Sequence, residues 1–272
     1  MYTKAKQFIN FVTETVQNRK TIINLANNDF KSKFVGSYLG VLWAFATPLL
    51  TILVFWFVFE AGFKSLPMEN VPFILWFIPA YIAWTFFADA MTATTNTLFE
   101  YEFLVKKVKF RVSVLPMVKL LSAVYIHMFF IGFVFLVYIF MEHRLMLQYF
   151  QVFYYMFAML ILLIGLGWLT SSLAPFFKDL SQLVNVFLQI GFWLTPIFWS
   201  IEAMHPPAWV NFIVKINPMY YITSGYRDCF ITGEWFWQRP ETTVWFWGVT
   251  LATFITGAYV FQKLRPHFAD VL

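Results

Sequence analysis

The chain has 272 residues, of which 60% are hydrophobic, 22% aromatic and only 12% charged, against roughly 25% charged in ordinary soluble domains. Too little polar surface remains to cover a water-soluble core, so the composition excludes a soluble globular protein and defines an integral membrane protein. The net charge of +5 informs through its placement rather than its sum, and the single cysteine, Cys229, excludes an internal disulfide framework and a thiolate zinc cluster.

Residues 1–35 come first. They lack the apolar core and small-residue cleavage site of a secretory signal, so the N-terminus is expected to be retained. Ala5, Phe8, Ile9, Val12 and Val16, then Ile22, Ile23, Ala26, Phe30 and Phe34, recur at three-four spacing among lysines, arginine and amides. This is the pattern of an amphipathic helix lying in the headgroup plane, a solvated cytoplasmic helix being the alternative. Asp29, Lys31 and Lys33 then run straight into apolar sequence through "GSYLG", Gly36 to Gly40. Two readings stand for the glycines: a hinge where an interfacial helix turns upright, or a small-residue face for helix dimerisation.

A bilayer core about 30 Å thick needs roughly 20 apolar residues in a helix. Six segments meet that need: Gly36–Phe59, Pro72–Thr94, Val114–Met141, Tyr149–Ala174, Leu180–Ile201 and Thr242–Gln262. With the N-terminus inside, fourteen of the nineteen lysines and arginines fall on the inner side, which predicts that both termini are cytoplasmic. The predicted fold is therefore all-α with six transmembrane helices. An interfacial helix over 1–35 precedes a membrane domain over 36–272.

Asp89 and Lys119 are the charges that lie well inside predicted spans two and three, at similar depth. Intramembrane charge is costly unless paired or hydrated, so they are expected to form an ion pair or line a watery entrance; snorkelling of Lys119 alone is the alternative. The inner loop over 95–113 mixes Phe103, Leu104, Val105, Val108 and Phe110 with acidic and basic residues, and the shorter inner loop over 174–181 repeats the mixture in "PFFKDL". An ordinary basic loop at an anionic leaflet needs charge but not these large apolar residues, whereas a helix docked in a partner's groove needs both. A soluble cytoplasmic partner follows.

On the outer side, residues 202–241 hold two short amphipathic stretches, 208–216 and 219–230, separated by "NP". Trp209, Tyr220, Tyr221, Tyr226, Trp235 and Trp237 suit the membrane interface, or a gate on which sugars stack. His127, His143, His205 and His267 fall in a span, two outer segments and the tail, so they do not converge as metal ligands. No G-x-x-x-x-G-K-[ST] occurs, so ATP-driven work belongs to another chain. A membrane-embedded glycosyl- or acyltransferase would have only Asp89 and His127 as nominees, without a partner set.

The ordered stretches "DFKSKFVGSYLGVLWAFATPLL", "LVKKVKFRVSVLP", "APFFKDLSQ", "FWLTPIFW" and "NPMYYITSGYRD" resemble the membrane subunit of bacterial polysaccharide-exporting ABC transporters of the ABC-2 type. "KSKFVGSYLGVLW", "GEWFW" and "KLRPHFADVL" look most like the wall teichoic acid exporter, with O-antigen and capsule permeases sharing most of the pattern. The resemblance implies a multi-pass protein of the bacterial plasma membrane that forms a homodimer. It also implies two copies of a cytoplasmic ATPase that binds ATP and Mg, and an undecaprenyl-diphosphate-linked polymer as cargo. Membrane lipids would be further partners, with no nucleic acid and no cofactor bound by this chain. Carried onto this sequence, Glu100, Tyr101, Phe103, Val105, Lys106, Lys107 and Phe110 would form the main ATPase-coupling helix. Phe176, Phe177, Lys178 and Asp179 would form the second, and Asp29, Lys31, Lys33, Gly36 and Gly40 the interfacial helix and hinge. Residues 202–230 would be the outer gate, with Trp209, Tyr220, Tyr221, Tyr226 and Arg227 as its functional side chains. Tyr38, Trp43, Tyr81, Trp84, Lys119 and Trp193 are expected to line a polymer channel, since aromatic faces hold sugar rings without fixing their register.

Overall fold

The computed structural model describes residues 13, 17–35, 38–63, 71–106, 111–142 and 146–272. Among the described residues the nine longer elements are all helical: α1 (Arg19–Ser32), α2 (Leu42–Trp56), α3 (Phe73–Thr95), α4 (Leu115–Glu142), α5 (Val152–Leu173), α6 (Leu180–Leu194), α7 (Ala208–Ile216), α8 (Pro218–Arg227) and α9 (Pro240–Leu264). One-turn helices fill many of the connections, including Thr97–Glu100 and Glu102–Val105 after α3 and Ile201–Met204 before α7.

Among the described residues, five stretches are long and apolar enough to cross a membrane: Leu42–Gly62, Phe73–Thr95, Val112–Glu142, Leu147–Leu173 and Pro240–Val271. Four of them start within two residues of an expected span, and the first starts six residues later than expected, at Leu42 rather than Gly36. The expected span Leu180–Ile201 differs, because its helix stops at Leu194 after 15 residues. Pro196 has no N–H to continue the ladder, and it pushes the preceding residue out of helical geometry. Thr195 accordingly takes an extended conformation, with ψ 134°.

The connection into α2 also departs from one continuous rod. Gly40 has φ 52°, in the left-handed region that favours glycine. A helix face running unbroken through Gly40 is therefore not formed, and the residue sits in a turn; Gly36 lies outside the described residues.

The core centres on α3, buried around most of its circumference against α4, α5 and α8, while α2 leaves most of its surface uncovered by the chain. A helix apolar on all sides is at home in either setting when the surrounding solvent is lipid. Along the line between α2 and α3, Phe59, Phe73, Phe77 and Tyr81 stack in sequence, with ring centroids 4.9, 5.5 and 4.9 Å apart. The backbones of α5 and α9 approach closely where they cross. A Cβ added at Gly257 would fall 2.1 Å from the Gly165 carbonyl oxygen, and one added at Gly165 would fall 2.6 Å from the Phe254 nitrogen. Small residues at such a crossing let backbones approach where no hydrophobic force drives helices together.

Candidate functional site: a buried charge node and a polar cleft

At one end of the bundle, α1 docks against the first turns of α4. Ala26 and Asp29 are its buried residues. Lys119 of α4 donates from Nζ to both Asp29 and Glu100. Tyr101 Oη donates to Asp29 Oδ1 at 2.8 Å, and Lys33, one turn along α1, lies 3.5 Å from Asp29 Oδ2. The Lys119 ammonium also sits 5.0 Å above the Tyr101 ring. A second clasp, Tyr125 Oη donating to Asn27 Oδ1 at 2.7 Å, holds α1 along the same face. Burial by itself raises the pKa of Asp29. Hydrogen bonds from Lys119 and Tyr101, with the Lys119 charge, help outweigh it and hold the carboxyl below its ordinary range. Tyr101 shifts up, through burial first and then through its bond to the Asp29 carboxylate.

This arrangement corrects the expected Asp89–Lys119 pair. Lys119 is 3% exposed and committed to Asp29 and Glu100. Asp89 instead opens into a separate cavity of about 420 Å³ shared with Lys33, Trp43, Tyr81, Thr85 and His127. Matched depth in two helices did not place the two side chains on facing sides.

The other sequence-derived residues divide clearly. Of the first inner loop, Glu100 and Tyr101 join the node, Lys106 pairs with Glu102, and Phe103 stands exposed. Val105 is buried with Leu98, Val112, Leu115 and Trp168, so it packs within the chain rather than standing ready for a partner. Lys107 and Phe110 lie outside the described residues. Phe176, Phe177, Lys178 and Asp179 all stand exposed on the second loop, and Lys31 is exposed on α1. Among the proposed lining residues, Tyr38, Trp43 and Trp193 are exposed. Tyr81 and Trp84 are buried inside the chain: Tyr81 ends the aromatic stack, and Trp84 packs where a side chain at Gly191 would collide with it at 2.7 Å.

At the opposite end of α3, the α7–α8 hairpin is built around polar groups that the sequence placed in an outer segment. Trp209 is exposed on α7, whereas Tyr221, Tyr226 and Arg227 are buried. Tyr226 Oη and His127 Nε2 are 2.8 Å apart, tying α8 to α4. Arg227 donates from Nε to the Trp76 carbonyl at 3.0 Å and from Nη2 to the Ile197 carbonyl, and its guanidinium stacks 4.1 Å over the Trp76 ring. The Ile197 carbonyl belongs to the extended stretch after α6, so Arg227 satisfies backbone that the broken helix leaves open. Burial pushes the Arg227 guanidinium down to about 9, which keeps it charged at neutral pH. The "NP" before α8 acts as a helix start: Pro218 stands in the first turn and Asn217 caps it, Oδ1 accepting from the Met219 N–H at 3.0 Å.

Beside this hairpin lie two cavities of about 580 and 410 Å³ that share Glu202, Tyr220, Ser224, Asp228 and Arg239. Arg239 bridges Asp228 at 2.9 Å and Glu234 at 2.8 Å. Burial raises the Asp228 carboxyl to about 6 despite the opposing Arg239 charge and the Thr232 hydrogen bond. The fold thus favours protonated Asp228, a contribution present in full below the ordinary value of 3.8 and lost as pH rises through about 6. Stability of the solubilised chain is expected to fall by about 2–3 kcal/mol between pH 4 and 7 from this group alone. Asp228→Asn should flatten that part of the profile in thermal melts across the same range, and an unchanged slope would remove Asp228 as its source.

The helical bundle with its five candidate spans and the broken α6–hairpin unit together define a multi-helix integral membrane protein. The ABC-2 type transporter family matches residues 21–231, and the chain belongs to it. It is similar to an O-antigen export system permease protein RfbA of Klebsiella pneumoniae, 25% identical over 257 residues covering 92% of this chain and 94% of that protein. A protein of the same name from Myxococcus xanthus is 22% identical over 269 residues, covering 96% of this chain and 99% of its own length. These names match the O-antigen alternative of the sequence reading rather than the expected teichoic acid exporter.

Proposed function

We propose that this chain is the membrane subunit of an ATP-driven exporter that carries a lipid-linked cell-envelope polysaccharide, of the O-antigen or capsular kind, to the outer face of the bacterial plasma membrane. Two copies would enclose the path, α6 and the α7–α8 hairpin would supply the sixth crossing and outer gate, and both termini would be cytoplasmic. A diphosphate-linked polyprenyl carrier fits the class of cargo. Membership of the ABC-2 family supports the export reading, and the names of its relatives favour an O-antigen-type polymer over a teichoic acid.

The observation that carries the mechanism is the Lys119 node, because it fastens the one-turn helices after α3 to both α1 and α4. A push delivered by a partner ATPase to the loop at Glu100–Lys106 would reach two helices at once, without loss in a flexible linker. Phe103 and the Phe176–Phe177 pair are exposed beside that loop system and supply the apolar grip such a partner needs. Phe103→Ala is expected to reduce ATPase co-purification or substrate-stimulated ATP hydrolysis several-fold while membrane insertion is unaffected. Undiminished stimulated turnover in the reconstituted complex would take Phe103 out of the coupling path, and purification without any ATPase would defeat the exporter reading itself.

A further inference from the structure

The two-lobed cleft beside the α7–α8 hairpin has a chemistry of its own. Its lobes of about 580 and 410 Å³ join through the five residues they share, and each falls within the size of small-ligand sites. Donors and acceptors alternate around it. Arg227 and Arg239 bring guanidinium groups, Glu202 and Asp228 bring carboxylates, Tyr220 supplies a phenol and Ser224 a hydroxyl. Lys215 and Glu241 also line the smaller lobe, and the three cations and three carboxylates cancel formally. Arg227 is held by two carbonyls and the Trp76 ring, with no carboxylate within salt-bridge distance among the described residues, and it is 4% exposed. Glu202 is exposed and accepts from Ser200 Oγ at 2.7 Å through one carboxylate oxygen.

A phosphate in this cleft would meet Glu202, Asp228 and Glu241 as well as the arginines and Lys215, and an acyl chain would strip water from these six charged groups without replacing their hydrogen bonds. A polyhydroxylated ring does neither. Its hydroxyls donate to carboxylates and accept from guanidiniums, and its C–H face lies against Trp76 or Tyr220. Two joined lobes fit consecutive residues of a chain better than one isolated ring.

We propose that this cleft is a binding site for a neutral saccharide segment, contacted by Arg227, Glu202, Tyr220 and Arg239, at the end of the bundle remote from the Lys119 node. The proposal rests on the export reading and adds to it a station within a single copy of the chain, apart from any path between copies.

The test uses the full chain with its co-purified ATPase in nanodiscs and saturation-transfer NMR. The probes are methyl glucoside, galactoside, mannoside and rhamnoside, disaccharides built from these sugars, and inorganic phosphate as the anionic arm. Saturation transfer to at least one neutral sugar is expected, stronger for a disaccharide than for its monomer. Glu202→Gln should weaken the apparent affinity about tenfold, the scale of one charge-assisted hydrogen bond. Tyr220→Phe, which keeps the ring and removes the hydroxyl, should weaken it less. No transfer from any sugar, preferential phosphate binding, or sugar binding untouched by Glu202→Gln would each overturn the proposal. ATP hydrolysis by the same preparation separates the two claims: an active complex with a sugar-blind cleft sinks the saccharide site alone, whereas a chain that recruits no ATPase sinks the export reading.

Discussion

Lys119→Met is expected to destabilise the folded chain by about 3–5 kcal/mol, the cost of leaving a buried carboxylate without its cation. Asp29 is 4% exposed, and the nearby Lys33 at 3.5 Å is itself partly exposed and cannot replace a direct bond. Most of the loss belongs to the Lys119–Asp29 contact, because the Glu100 side chain is 49% exposed and an ion pair reaching solvent adds little. The double variant Asp29→Leu, Lys119→Met should recover much of the stability, since an apolar pair of similar volume removes the desolvation problem. Coupling should not recover with it, because the link between α1 and the Glu100 turn is then gone. Thermal melts of the purified chain together with ATP turnover of the complex separate these effects. A single variant that melts like the wild type would show that the node bears no load.

Gly257→Ala is the second change with a large expected consequence. Its new Cβ would lie 2.1 Å from the Gly165 carbonyl oxygen and 3.3 Å from the Leu169 nitrogen, so backbone would have to yield rather than a rotatable side chain. Overpacking of this kind costs about 1–3 kcal/mol, and Gly257→Val should exceed it. Gly248→Ala on the same helix is the control, because nothing lies within 4 Å of the position its Cβ would take. The readout is the fraction of chain that remains monodisperse after heating. Equal survival of the Gly257 and Gly248 variants would mean that α5 and α9 can separate freely.

The apolar spans were legible because lipid imposes a length and a composition that hydropathy reads directly. What hydropathy could not read was the end of α6, since "TPIFW" stays apolar through the break; Pro196 was the only signal there. The partners of Lys119 were hidden for another reason. Asp29 lies ninety residues away on a helix read as surface, and only its place three residues after Ala26, beside the apolar stripe, marked it as inward-facing. Likewise nothing in the "YRD" motif itself marked Arg227 as buried. The stacking of Arg227 on Trp76 depends on a contact between residues 151 apart, which no local pattern carries. Gly165 and Gly257 gave no distinctive local spacing, because the crossing they form is between helices rather than along one.

The early stop of α6 also bears on the membrane around the protein. Fifteen residues of helix reach about 22 Å, roughly 8 Å less than the hydrocarbon core. The shortfall is made up on the protein side by extended backbone whose carbonyl at Ile197 is bonded by Arg227 and whose Thr195 hydroxyl accepts from Asn217 at 2.8 Å. Phe187, Ile190 and Trp193 stand exposed along this helix, and where such a short apolar surface meets lipid the leaflet is expected to thin toward it. A hydrophilic cargo handled along this flank would face a thinner insulating layer than anywhere beside the full-length helices.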